Sequence, residues 1–184
     1  MVKKGAIVLS LFFFLFDSLS AQKRLASDFP GSRDGLAAML QYIIQASPKE
    51  RKALNESLKP DLEDCQAVFT PDVAQKIFRY QKKLNRTARI VIRPLMNKQT
   101  DYLLWGSNSH GLSVYEGEAR YFPGGYKEIS HYLQDNFVFY RVKFIEPGRK
   151  LGSAYDMLVY IDGNWRLIHR PWAALVEHKP LTLD

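Results

Sequence analysis

Residues 137–172, FVFYRVKFIEPGRKLGSAYDMLVYIDGNWRLIHRPW, read as three consecutive antiparallel strands, with the rest of the chain packed against them. Phe137 to Ile145 is aromatic and β-branched with Arg141 and Lys143 interleaved, the composition of a strand with one face partly wet. Glu146-Pro147-Gly148-Arg149-Lys150 breaks it, because proline cannot donate to a ladder and glycine tolerates positive φ. A second run, Tyr155 to Ile161, ends at Asp162-Gly163, a dipeptide suited to both central positions of a tight hairpin. A third, Trp165 to Arg170, stops at Pro171.

With Asp162-Gly163 as the turn, Ile161 faces Asn164, Tyr160 faces Trp165, Leu158 faces Leu167 and Asp156 faces His169. One face then carries Leu158, Tyr160, Trp165 and Leu167 with an Asp156–His169 pair. The other carries Met157, Val159, Ile161 and Ile168 with Arg166 and Arg170. Both faces are mixed, which predicts a sheet covered by helices on one side and offered to a ligand or partner on the other.

Working outward, residues 22–31 read as an unstructured lead-in. Leu36, Met39, Leu40, Ile43 and Ile44 recur at helical spacing behind a capping Ser32. Ser47-Pro48-Lys49-Glu50 is a capping box with proline at the first helical position, and predicts a second, more polar helix to about Leu58. Thr70-Pro71-Asp72 starts a third, with Val73, Ile77, Phe78, Gln81 and Leu84 on one side. Strands are expected at Arg89–Arg93 and Tyr102–Gly106, with a weaker candidate at Leu112–Tyr115. A loop at Tyr121–Gly125 and a short helix marked by Tyr126, Ile129 and Leu133 precede the three-strand stretch. Helices first and strands later favour an α+β domain over 32–175, in which N-terminal helices pack on the concave side of a curved antiparallel sheet and the last three strands form a meander. A tail follows at 176–184.

The chain has 184 residues, enough for one core without metal or disulfide staples. Met1 to Ala21 joins a basic start (Lys3, Lys4), an apolar run and small residues at Ser18, Ser20 and Ala21. That is the layout of a cleavable secretory signal, and it predicts a secreted or periplasmic protein with no membrane span in the mature chain. Without those residues 24 basic and 18 acidic side chains remain, a net +6 spread along the chain. The densest basic patch, Arg79, Lys82, Lys83, Arg86 and Arg89, lacks the stripe and module of a nucleic-acid binder, so no nucleic-acid partner is expected. It is suited to an anionic surface, with affinity that falls with salt. Cys65 is the only cysteine, which excludes an internal disulfide and a cysteine metal cluster.

Tyr140 to Trp172, with Phe122-Pro123-Gly124-Gly125-Tyr126 upstream, resembles a group of small exported bacterial proteins of unassigned function. Their sheet is similar to that of the nuclear transport factor 2-like, or cystatin-like, cone folds. The resemblance covers about residues 62–175 and implies a pocket between sheet and helices. That superfamily holds enzymes and binding modules alike, so the fold alone assigns no function.

Asp156 and His169 are the sharpest chemical pair, since a carboxylate beside an imidazole fixes its tautomer and raises its basicity. The plainer reading is a structural cross-strand pair. Trp165, Trp172 and Tyr160 suit a core or an aromatic pocket, and Arg141 and Tyr155 the mouth of a cone. Glu128, His131 and Asp135 share a helical side without the spacing of a metal site, and no metal or cofactor is expected. Asn55-Glu56-Ser57 and Asn85-Arg86-Thr87 are glycosylation sequons. The sequence therefore points to an exported, non-enzymatic domain binding a small molecule or a protein partner, with apolar residues on both sheet faces consistent with a homodimer. The alternative is a small hydrolase or isomerase-type enzyme using Asp156 and His169.

Overall fold

The computed structural model describes residues 24–87 and 91–175. The expected leader, the first part of the expected 89–93 strand and the tail lie outside the described residues. The architecture is α+β, with a four-stranded antiparallel sheet in sequential order. Its strands are β1 (Asp101–Ser107), β2 (Phe139–Ile145), β3 (Gly152–Ile161) and β4 (Asn164–Leu167). The last three form the expected meander, and Ile161↔Asn164, Tyr160↔Trp165 and Leu158↔Leu167 pair as the turn chemistry predicts. Asp162 (φ 42) and Gly163 (φ 85) both take the left-handed region that a two-residue hairpin turn needs.

Among the described residues six α-helices precede or interrupt the sheet: α1 (Arg33–Gln45), α2 (Pro48–Ser57), α3 (Leu62–Val68), α4 (Pro71–Arg86), α5 (Ser109–Val114) and α6 (Gly125–Ile129). Ser32 caps α1 by accepting from the Gly35 N–H at 3.0 Å, and the Ser47/Glu50 capping box starts α2. α3 is not among the expected helices, although Asp61 and Asp64 form a capping box of their own across its first turn. Leu112–Tyr115, a strand candidate, belongs instead to α5 and its cap, where Tyr115 takes φ 60 and its N–H donates back to the Gly111 carbonyl. Among the described residues no helix is long and apolar enough to cross a membrane.

The expectation of one covered face and one open face is overturned, because helices cover both. On one side Leu36, Met39, Leu40 and Ile43 of α1 and Leu54 of α2 pack on Val142, Phe144, Tyr155, Leu158, Trp165 and Leu167. On the other, α3 to α6 supply Cys65, Val68, Val73, Ile77, Leu112, Tyr126 and Ile129 against Phe139, Met157, Val159, Ile161 and Ile168. Each fully buried Leu, Ile or Phe contributes roughly 1.5–3 kcal/mol relative to exposure. The two-sided burial is why β3 carries an almost unbroken apolar run rather than a strict alternation.

Residues 24–31, expected as an unstructured lead-in, are part of this core. Ala26 and Phe29 are fully buried, and the Pro30 carbonyl accepts from the Trp165 indole N–H at 3.1 Å. A short 3-10 turn at Ala26–Asp28 makes the bend. Residues 91–93 of the expected first strand are not strand. They pass beside α2 without pairing in the sheet, and Ile92 is fully buried.

Candidate functional site

The proposed Asp156–His169 pair does not form, and a single residue is the reason. Arg141 pairs with Asp156 and its neighbour Tyr140 pairs with Leu158, so Met157 (φ 62) is an extra residue bulged out of β3. The bulge reverses the facing of everything before it. Asp156 lies on the face of α6 with Arg141, while Tyr155 turns to the opposite core. Pairing with β4 ends at Leu167, after which the Ile168 N–H donates to the Met157 carbonyl at 3.0 Å. His169 is then captured by α4: its N–H donates to Gln81 Oε1 at 3.0 Å, and Gln81 Nε2 donates to its carbonyl at 2.8 Å.

Asp156 instead faces Arg141, with Nε 3.1 Å from Oδ1. The approach is an ion pair without hydrogen-bond alignment, since Arg141 Nε, Asp156 Oδ1 and the fully buried Tyr126 hydroxyl make no hydrogen bond to another described residue. Burial raises the Asp156 carboxyl above its usual range, and Arg141 and Arg170 oppose that rise. Burial likewise raises the Tyr126 phenol well above its usual value, with the Asp156 charge adding to it. His169 is brought down to about 4 by burial and then by Arg170, so its ring is neutral at pH 7 but has no carboxylate to orient it. Cys65 is fully buried, and desolvation followed by Asp64 and Asp61 pushes its thiol up to about 12, far from the thiolate that a nucleophile needs.

The remaining expected ligand-site residues make packing and hydrogen-bond contacts within the fold. Trp165 is fully buried, and Tyr160 lies edge-on to it and against Gly31, where a Cβ would stand 2.2 Å from the tyrosine ring. Trp172 packs edge-on to Tyr126, and Arg141 also donates to the Tyr121 carbonyl. Among the described residues no group of three His, Cys, Asp or Glu side chains could hold a metal ion, and Asp135 accepts from the Ser109 hydroxyl.

What the sequence reading did not single out is a cleft between α2 and the 91–97 segment, with a volume of about 310 Å³. Arg51, Lys52, Asn55 and Glu56 of α2 line one side, Lys59 and Asn85 close one end, and Arg93, Pro94, Leu95 and Asn97 form the facing wall. Four cations thus meet one carboxylate, and Glu56 is already paired with Lys59. Among the described residues Arg51, Lys52 and Arg93 form no ion pair.

The facing wall is fixed by three side chains. Asn55 accepts from the Ile92 N–H at 2.7 Å and donates to its carbonyl at 3.2 Å. Tyr155 reaches the wall from below, its hydroxyl donating to the Arg93 carbonyl at 2.9 Å. Gln99 Oε1 accepts from the N–H groups of Leu95 and Met96 at 2.8 and 3.3 Å and from the Ser153 hydroxyl at 2.9 Å. A recess held in this way can bind without the wall having to order first. The legible signal was the polarity of α2, whose Arg51, Lys52 and Glu56 have no apolar partner to cover. Arg93 could be added only in three dimensions.

No family model, curated protein or solved structure matches the chain.

Proposed function

We propose that the protein is an exported binding domain whose cleft takes a small anionic ligand. The observation that carries this reading is the gathering of Arg51, Lys52, Lys59 and Arg93 around one recess, whose single carboxylate is paired within it. Charged donors are strongest toward carboxylate or phosphate oxygens, and the two arginines can bind such oxygens two at a time. The volume stands at the small end of ligand sites, which fits a metabolite-sized anion. Asn85 and Asn97 add neutral donors and acceptors for the ligand's uncharged part. Export is supported by the layout of residues 1–21. Asp156 pairs with Arg141 and the His169 backbone is held by Gln81, so the acid–base pair of the enzymatic alternative is not what this reading rests on.

Titration with inorganic phosphate and with citrate, followed by calorimetry and thermal unfolding, tests the reading. Saturable binding of at least one anion is expected, with a rise in Tm, and R51Q/K52Q should weaken it by about tenfold or more. No saturable binding of either anion, or equal affinity in the variant, would overturn it.

A further inference from the structure

Three of the seven large apolar side chains most exposed among the described residues are Leu95 (63%), Met96 (54%) and Leu151 (87%), and they stand together. They line one open recess between the 94–97 loop and the β2–β3 hairpin, in company with Arg149 and Lys150. The two loops are tied to each other, because the Gln99 side-chain oxygen Oε1 accepts from the N–H groups of Leu95 and Met96 and from the hydroxyl of Ser153 at the start of β3. The hairpin is closed by the Arg149 N–H donating to the Glu146 carbonyl at 2.9 Å. The aliphatic side chains are therefore displayed on fixed backbone.

The charge around them decides the partner. Arg93, Lys98, Lys143, Arg149 and Lys150 flank the tip in sequence or by contact, against Asp101 and Glu146. Protruding aliphatic side chains ringed by cations match a bilayer interface, where apolar groups enter the acyl boundary and lysines and arginines remain at the phosphates. A second copy of the chain would bring the same excess of positive charge to the contact.

We propose that the 94–97 loop and the β2–β3 hairpin form a docking surface for a lipid bilayer bearing anionic headgroups. Leu95, Met96 and Leu151 enter the headgroup layer, and Arg149, Lys150 and Lys98 bind lipid phosphates. The surface does not require the cleft to be occupied.

Cosedimentation of the full chain with phosphatidylcholine vesicles, and with vesicles in which about a third of the lipid is phosphatidylglycerol, tests this. Binding to the anionic vesicles is expected to exceed that to the neutral ones and to drop as salt is raised from about 0.1 to about 0.5 M. L95S/M96S/L151S should lower the partition coefficient about a thousandfold, since each large apolar side chain withdrawn from water is worth about tenfold or more. M96S/L151S, which leaves the cleft lining intact, should lower partition about a hundredfold while changing phosphate affinity less than about threefold, which separates this surface from the cleft. In L151W the new indole should shift its emission to the blue on anionic vesicles and be quenched by brominated acyl chains. Equal binding of the triple variant, absence of the blue shift, or an oligomer in solution that the triple variant dissolves would each overturn the proposal.

Discussion

Asn55 and Gln81 each hold one residue that lies outside the strands. Each is buried on a helix, and each uses both ends of its amide to bind the N–H and C=O of one residue, Ile92 for Asn55 and His169 for Gln81. A side-chain amide carries the same donor and acceptor as a peptide, so the device satisfies buried backbone that would otherwise cost about 1–3 kcal/mol per group. It also removes Asn55 from use as a glycosylation sequon, because its amide is buried and fully engaged. His169 adds a pH dependence. Its imidazole stays neutral in the folded protein down to about 4, whereas the unfolded chain takes up a proton near 6.5, the ordinary value for histidine. Its contribution is therefore complete above pH 6.5 and is lost as pH falls from there toward about 4. Because solvent still reaches the ring, the loss is about 1–2 kcal/mol. The urea midpoint of the wild type should fall more steeply than that of H169Q across this window. Asp156, whose carboxyl is raised, acts with the opposite sign on acidification, so the difference between the two proteins reads the histidine.

At the scale of elements, the segment that forms the facing wall of the cleft depends on one contact with α2. Replacing Asn55 by leucine leaves the N–H and C=O of buried Ile92 without their partner. The variant is expected to lose about 2–4 kcal/mol of stability by urea unfolding. The Ile92 amide should exchange faster with deuterium, and anion affinity should fall although no charge has been removed. The hairpin shows the complementary case, in which local chemistry suffices. Asp162-Gly163 sets the register of four residue pairs through its own backbone preference. The bulge at Met157 had no such signal. A left-handed φ at a residue other than glycine is disfavoured, and methionine does not announce it. It persists because the fully buried Met157 side chain packs into the core formed with α3 to α6, and the Ile168 N–H binds its carbonyl.

For the whole molecule, the sheet lies between two helical layers, and its first layer is completed by residues 24–31. Phe29 is fully buried there, stacks obliquely on Tyr42 and carries the Arg24 guanidinium 3.9 Å from its ring centre. F29A should behave as a large-to-small substitution in a packed core, costing about 3–5 kcal/mol in urea unfolding. A loss below about 1 kcal/mol would mean that the segment is not part of the cooperative unit. At this scale the positive charge also acquires a shape. Lys82, Lys83 and Arg86 of α4 are exposed, and Lys59 and Asn85 line both the cleft and a shallow groove beside Phe78 and Lys82. The basic surface is thus continuous from α4 into the cleft, which supports capture of anions by long-range attraction.

Elements whose cause is local are legible in the order of the residues. The helix starts at Ser32 and Ser47 follow from capping chemistry, the β3–β4 register from its turn, and the α+β class from the order of the periodic segments. The tertiary structure alone decided which face each strand residue occupies beyond the bulge, and hence that Asp156 meets Arg141 rather than His169. It also decided that both sheet faces are covered and that Arg93 stands across a cleft from Arg51 and Lys52. Those outcomes rest on contacts between residues far apart in the chain, and a one-residue insertion in a strand is enough to exchange the faces.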